Sequence, residues 1–289
     1  MLANRRFRGL NASRRPQNEQ HDMSIISERD GPVAILTINR PQARNAVDPP
    51  TAEALYLAFC DAERDDKVLA TVLTGAEGAF CSGADLKAVA KASGPPAKKH
   101  PQQAPMGPTR LLADRDAPDE FVSLSKPLIA AIEGHAVAGG LELALMADMR
   151  VASETAIFGV YCRRWGVPLI DGGTLRLPRV IGQGRAMDMI LTGRPVGAQE
   201  ALSWGLANRL VKAGEARAAA VALAKEIARF PQLCLRADRA SAYAGWSMGV
   251  DEALKAEARR GAPVIAKESI GGAARFAGGK GRGGDFSEI

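Results

Sequence analysis

Residues 126–143 read KPLIAAIEGHAVAGGLEL, and this stretch changes character twice. Pro127-Leu128-Ile129-Ala130-Ala131-Ile132 is apolar without alternation, which predicts a strand buried on both faces. Gly134 to Gly140 is small and turn-prone and predicts a loop. Leu141 to Ala147 then starts a helix, with Glu142 in its first turn. The same order occurs upstream. Leu69-Ala70-Thr71-Val72-Leu73-Thr74 predicts a strand, and Ala79-Phe80-Cys81-Ser82-Gly83-Ala84-Asp85-Leu86 is a small-residue turn leading toward a helix. Further out, Gly31-Pro32 precedes a β-branched run, Val33 to Ile38, read as a strand. Asp48 through Asp61 suits a helix, with Pro49 and Pro50 in its first turn. Met149-Arg150-Val151-Ala152 predicts a fourth strand. Strands that alternate with helices predict an α/β fold with crossovers. Beyond about residue 197 the pattern is helical, over Ala198 to Trp204, Ala216 to Arg229 and Val250 to Arg259.

The expected organisation is a disordered basic leader over 1–22, with Met23 opening a folded core over 23–197, and a helical subdomain over 198–289. Residues 88–110, rich in proline, glycine and lysine, predict a mobile surface loop following the first turn. The 289 residues are 46% apolar and only 5% aromatic, which suits a sizeable core of closely packed helices and tight turns. No uncharged apolar run approaches the roughly 20 residues of a membrane span; residues 127–149 are interrupted by Glu133, Glu142 and Asp148. A soluble protein without a membrane partner is expected. The four cysteines are widely spaced and lack CxxC pairing, so neither a metal site nor a disulfide scaffold is indicated, and a cytoplasmic location is the default. The net charge of +6 is uneven: residues 1–22, with five arginines against Glu19 and Asp22, carry +3 of it. No basic face is visible elsewhere, so no nucleic-acid partner is expected.

Each small-residue turn leaves backbone N–H groups unpaired at a helix start, where they can meet negative charge. Two such turns, each after a buried strand, can aim one N–H apiece at a single oxygen beside the Glu142 carboxylate. Six segments then occur together, in order. They are Ile38-Asn39-Arg40-Pro41 with Asn45-Ala46; Phe80 to Leu86; Lys126 to Asp148; Phe158-Gly159; Gly172-Gly173-Thr174 with Arg176-Leu177; and Leu191-Thr192-Gly193. With these the chain resembles the crotonase (enoyl-CoA hydratase/isomerase) superfamily across most of residues 23–289.

The resemblance implies a core spiral of ββα turns, with C-terminal helices that drive formation of a trimer or a dimer of trimers. It implies an acyl-CoA thioester substrate and no separate cofactor, coenzyme A being part of the substrate. The N–H groups of Ala84 and Gly139 are then expected to form an oxyanion hole for the thioester oxygen. Coenzyme A is expected at the Gly83-Ala84-Asp85-Leu86 turn, with Ala46 and Gly140 nearby and with Arg44 and Lys87 approaching the phosphates. Lys280 and Arg282 are weaker candidates that reach a neighbouring subunit's site. Glu142 matches one of two glutamates that hydratases use to hold and activate water. The second falls at Cys162, whose thiol is a poor acid/base substitute. Asp171 is therefore the candidate for the second carboxylate, although it also suits a helix cap. Arg163 and Arg164 either pair with these carboxylates or face solvent, and His135 reads as a loop side chain. The leading expectation is a carbon–oxygen lyase that adds water to a 2-enoyl-CoA. Double-bond isomerisation with a single carboxylate, and a non-catalytic acyl-CoA-binding role, are the alternatives.

Overall fold

The computed structural model describes residues 24–91, 124–281 and 283. The expected leader, residues 92–110 of the expected loop, and Arg282 lie outside the described residues.

The chain forms β1 (Ile25–Asp30), β2 (Val33–Ile38), α1 (Pro49–Arg64), β3 (Ala70–Gly75), α2 (Leu86–Lys91) and β4 (Leu128–Ile132). It continues through β5 (His135–Val137), α3 (Gly139–Met146), β6 (Met149–Ser153), β7 (Ile157–Gly159), α4 (Gly173–Ile181) and α5 (Gln183–Thr192). Then come β8 (Pro195–Gly197), α6 (Ala198–Trp204), β9 (Arg209–Val211) and α7 (Ala216–Ala228). The helices α8 (Gln232–Ala244), α9 (Val250–Val264) and α10 (Ile270–Ala277) follow.

Six strands form one sheet in the order β1-β2-β3-β4-β6-β9. Only β1 runs antiparallel to its neighbour; the other pairs are parallel. The period-2 alternation of each strand divides its apolar residues between two cores. Val33, Ile35, Val72, Ile129 and Ala131 pack with Ala216, Ala220 and Leu223 of α7. Leu36, Ile38, Leu73, Leu128 and Ile132 face the larger core, which takes in Leu55 and Phe59 of α1 and Leu141 and Leu143 of α3. Burial of both faces is why these strands read as unbroken apolar runs.

The helix expected over 48–61 forms and runs on to Arg64. Asp48 caps its start, one carboxylate oxygen accepting from the Thr51 amide at 3.0 Å and from the Thr51 hydroxyl at 2.6 Å. The buried Lys126 ammonium donates to the carbonyls of Ala62 and Asp65 at the other end.

The stretch read as a loop, Gly134 to Gly140, is more ordered than expected. His135–Val137 is a strand of a second, three-stranded sheet in the order β5-β7-β8. It pairs in parallel with Ile157–Gly159. Three residues are too few to show a period, and the pairing partner lies some twenty residues away, so composition alone conceals this strand. The helix α3 also starts two residues earlier than expected, at Gly139. Its residues 139–145 are all buried, and Glu142 is the charged residue among them.

The helices α8, α9 and α10 stand apart from the two cores. Of their residues only Ala256 is buried. Asp148 ties α8 to the core: its carboxylate accepts from the Leu128 amide at 2.8 Å, from Arg239 at 2.9 Å and from the Tyr243 hydroxyl at 2.7 Å. Val250, Leu254, Ile270 and Phe276 remain exposed along these helices. No helix of the described residues is long and apolar enough to cross a membrane.

Candidate active site

The parallel register of β3 and β4 sets Thr71 beside Leu128 and Leu73 beside Ala130, so the turns that follow the two strands lie side by side. Residues 81–85 form the seam between them. On one edge, the Cys81 amide donates to His135 and the Val137 amide donates to Cys81, at 2.9 and 3.1 Å. On the other edge, the Val47 amide donates to Gly83 and the Asp85 amide donates to Val47, at 2.8 and 2.9 Å. Because amides alternate sides along extended chain, the Ala84 N–H points away from Val47.

Across the seam, Ala138 adopts φ 53 and ψ −126, a conformation that costs a non-glycine residue on the order of 1–3 kcal/mol. Its own amide is held by the Gly159 carbonyl at 2.9 Å. This kink ends β5 and opens α3, so the Gly139 N–H falls in the first helical turn, where no intrahelical acceptor exists. Among the described residues no acceptor engages the N–H of Ala84 or of Gly139. The two turns approach closely: a β-carbon on Gly83, at φ +94, would come to 2.7 Å from the Gly139 nitrogen.

Ala84 and Gly139 both line a cavity of about 560 Å³. Nine of the eleven expected site residues line it: Arg44, Ala46, Ala84, Asp85, Leu86, Lys87, Gly139, Glu142 and Asp171. Gly83 and Gly140 do not. They sit where backbones cross, and a β-carbon on Gly140 would lie 2.0 Å from the Cys81 carbonyl oxygen. Their part is to let the turns meet.

Asp85 touches the cavity, but its carboxylate is engaged elsewhere. It accepts from the amides of Lys87 and Ala88 at the start of α2, and from Arg40 at 3.1 Å. Burial pushes its carboxyl upward, but these bonds outweigh burial and hold it below the ordinary range. Arg40 also pairs with Asp48 at 2.9 Å. The Asn45 side chain donates to the carbonyls of Ala76 and Ala79, fixing the Arg44 bend against the first turn. Arg44 and Lys87 are exposed at the cavity rim.

Glu142 is 3% exposed, and its Oε1 accepts two amide hydrogen bonds at 2.8 Å, from Asp171 and Gly173. A β-carbon on Gly173 would fall 2.8 Å from that oxygen, so glycine is what admits the carboxylate. Burial, reinforced by the neighbouring Asp171 charge, pushes the Glu142 carboxyl up to about 7. The two amides and Arg176 act in the opposite sense. Asp171 is itself buried on the same wall. Cys162 lies in the 3-10 turn Tyr161–Trp165, and burial, then the Glu142 charge, push its thiol up. It therefore lines the cavity as a neutral group.

Arg163 and Arg164 turn away from both carboxylates. Arg163 donates to the Ile190 carbonyl at 3.1 Å; Arg164 donates to Gly193 and lies 3.9 Å over the Tyr161 ring. The His135 ring touches the cavity with its affinity for a proton lowered, by burial and then by Arg44. The sequence reading missed Tyr161, Trp165 and Ile170, which give one wall its apolar character. It also missed the positions of Arg40 and Arg176 around the site. Tyr161, Trp165 and Ile170 lie in no motif, and the motifs that contain Arg40 and Arg176 gave them no place at the site. No cluster of metal-ligating side chains occurs among the described residues.

Bare paired amides beside a buried carboxyl of near-neutral acidity form the apparatus of an oxyanion-stabilising acid/base catalyst. Residues 28–278 match the enoyl-CoA hydratase/isomerase family. The chain is 37% identical over 240 residues to an enoyl-CoA hydratase of Mycobacterium tuberculosis, which covers 83% of this chain and 88% of that one. It is 36% identical over 233 residues to a carnitinyl-CoA dehydratase of Salmonella typhi, covering 80% and 85%. The crystal structure of an enoyl-CoA hydratase from Mycobacterium tuberculosis superposes with a TM-score of 0.78 at 33% identity, covering 89% of this chain and 96% of that one. The chain belongs to the enoyl-CoA hydratase/isomerase family of enzymes, with the crotonase fold.

Proposed function

We propose that this protein hydrates a 2-enoyl-CoA thioester. The observation that carries the reading is Glu142: a buried carboxyl with acidity near neutrality, held by two amides, lining the same cavity as Ala84 and Gly139, whose N–H groups meet no acceptor among the described residues. In the ionised form Glu142 takes a proton from a water molecule as its oxygen bonds to the β-carbon. The double-bond electrons move toward the carbonyl, and the thioester oxygen gains the negative charge. Two preorganised amides stabilise that charge, each worth about 3 kcal/mol in comparable sites. The resulting enolate takes that proton at the α-carbon from Glu142, directly or relayed through Asp171 on the same wall, and Glu142 returns to its ionised form. The reverse sequence is dehydration.

Arg44 and Lys87, exposed on the rim, suit the phosphates of coenzyme A. The reading requires no cofactor beyond the coenzyme A of the substrate, so turnover is expected to survive EDTA. The exposed apolar residues of α8 to α10 support a homotrimer or a dimer of trimers. Free cysteines at positions 60, 81, 162 and 234 suit a reducing cytoplasm.

One observation favours a second reading. Cys162 occupies the wall position where a second glutamate is expected, and Glu142 with Asp171 can instead move one proton between carbons, which is double-bond isomerisation. Crotonyl-CoA decides between them. Loss of enoyl absorbance, abolished by Glu142→Gln, supports hydration. Inert crotonyl-CoA with a 3-enoyl-CoA gaining conjugated absorbance supports isomerisation. Acyl-CoA binding without turnover of either substrate overturns both.

A further inference from the structure

Behind the cavity wall lies a cation that touches no cavity space. Arg176, in the second turn of α4, donates from its guanidinium to the Asp171 carbonyl at 3.1 Å. The guanidinium occupies the place of an absent side chain: a β-carbon on Gly172, at φ +87, would fall 2.1 Å from it. The bend at residues 171–173 that it braces is the one whose amides grip Glu142 at 2.8 Å. We infer that Arg176 is a positioning residue for Glu142, fixing the Asp171–Gly172–Gly173 bend through its hydrogen bond and balancing both buried carboxylates with its charge. This inference rests on the hydratase reading for its catalytic meaning.

The charges around the site agree in direction. Glu142 is faced by Asp171 and Arg176 from the α4 side and by Cys162 from the 3-10 turn. Arg176 favours the ionised form of Glu142, against burial and against Asp171. Arg176 is itself within electrostatic reach of Glu142, Asp171 and Tyr243 of α8. Tyr243 donates to Asp148, the anchor of the C-terminal helices. The brace therefore stands between the proton-transfer site and the helical subdomain.

Arg176→Gln tests the inference, because it retains an N–H donor for the Asp171 carbonyl and removes the charge. The limb of the pH–rate profile that reports Glu142 is expected to move upward by roughly half a pH unit or more, whether Glu142 acts as base or as acid. KM is expected to change little. Arg176→Lys is expected to restore the wild-type limb. An unmoved limb in the Gln variant, or an equal displacement in the Lys variant, overturns the inference. A readout independent of turnover is the thermal unfolding midpoint near pH 5 and near pH 8. The loss across this interval is expected to be larger in Arg176→Gln than in the wild type, and most of the excess is expected to vanish in a Glu142→Gln background. An excess that is undiminished there shows that Arg176 does not act through Glu142 and overturns the inference. A wild type inert toward enoyl-CoA sinks the hydratase reading while leaving this thermal cycle decisive. If Arg176→Gln does not fold, Gly172→Ala, whose new carbon displaces the guanidinium, must enlarge the same loss; no enlargement overturns the inference.

Discussion

Glu142 carries two opposed requirements. Its neighbours must hold it in one orientation, and its carboxyl must exchange a proton near neutral pH. The two amides meet the first, and burial beside Asp171 meets the second. The same burial has a stability consequence with a definite sign. A carboxyl raised from about 4.5 in the unfolded chain to about 7 when folded keeps its proton longer in the folded state. Its contribution to stability is therefore full below the unfolded value and is lost as pH rises through the folded one. Glu142→Gln is expected to stabilise the protein near pH 8, by up to about 3 kcal/mol, relative to its effect near pH 4. Thermal unfolding at the two pH values checks this, and a gain independent of pH contradicts it. The same substitution is expected to lower kcat by at least a hundredfold, the usual scale of a lost acid/base group. Residue identity made Glu142 legible in the sequence, since a charge in an otherwise apolar helix asks for an explanation. The acidity of that charge was not legible, because it depends on burial and then on Asp171, twenty-nine positions later.

The oxyanion geometry belongs to the elements. One turn is stitched to β5 on one edge and to Val47 on the other, and the kink at Ala138 presents Gly139 across the gap. Gly83→Ala tests this joint. Its β-carbon would press on the Gly139 nitrogen, at a backbone angle that L residues avoid. A loss of stability of about 1–3 kcal/mol is expected. The loss in kcat/KM is expected to be about a hundredfold, since displacement of about 1 Å at such sites has that effect. A variant that folds and retains full kcat/KM contradicts the convergence of the two turns. The longer strands were legible because burial on both faces writes them as apolar runs; β2 falls at residues 33–38, as its composition predicts. The strands β5, β7, β8 and β9 were not legible, since each has three residues and is defined by its partner. Helix α8 has no buried residue and hence no inward apolar stripe to betray it. Tyr161, Trp165 and Arg176 join the site only when the chain returns to it.

At the scale of the molecule, the helices after β9 divide into two kinds. α7 covers the sheet, whereas α8 to α10 project with apolar residues exposed and are tethered through Asp148. Such surfaces mark association sites. Sedimentation is expected to give three or six times the chain mass, and Leu254→Asp combined with Ile270→Asp is expected to yield monomers. A wild-type monomer at micromolar concentration contradicts this. The central claim is that two amides from separate turns grip one acyl oxygen beside Glu142. A crystal structure with the saturated thioester butyryl-CoA, which cannot be hydrated, tests it most directly. The account predicts the thioester oxygen at about 2.7–3.1 Å from the nitrogens of both Ala84 and Gly139, with the β-carbon turned toward Glu142. An acyl oxygen bound outside reach of either nitrogen would contradict it.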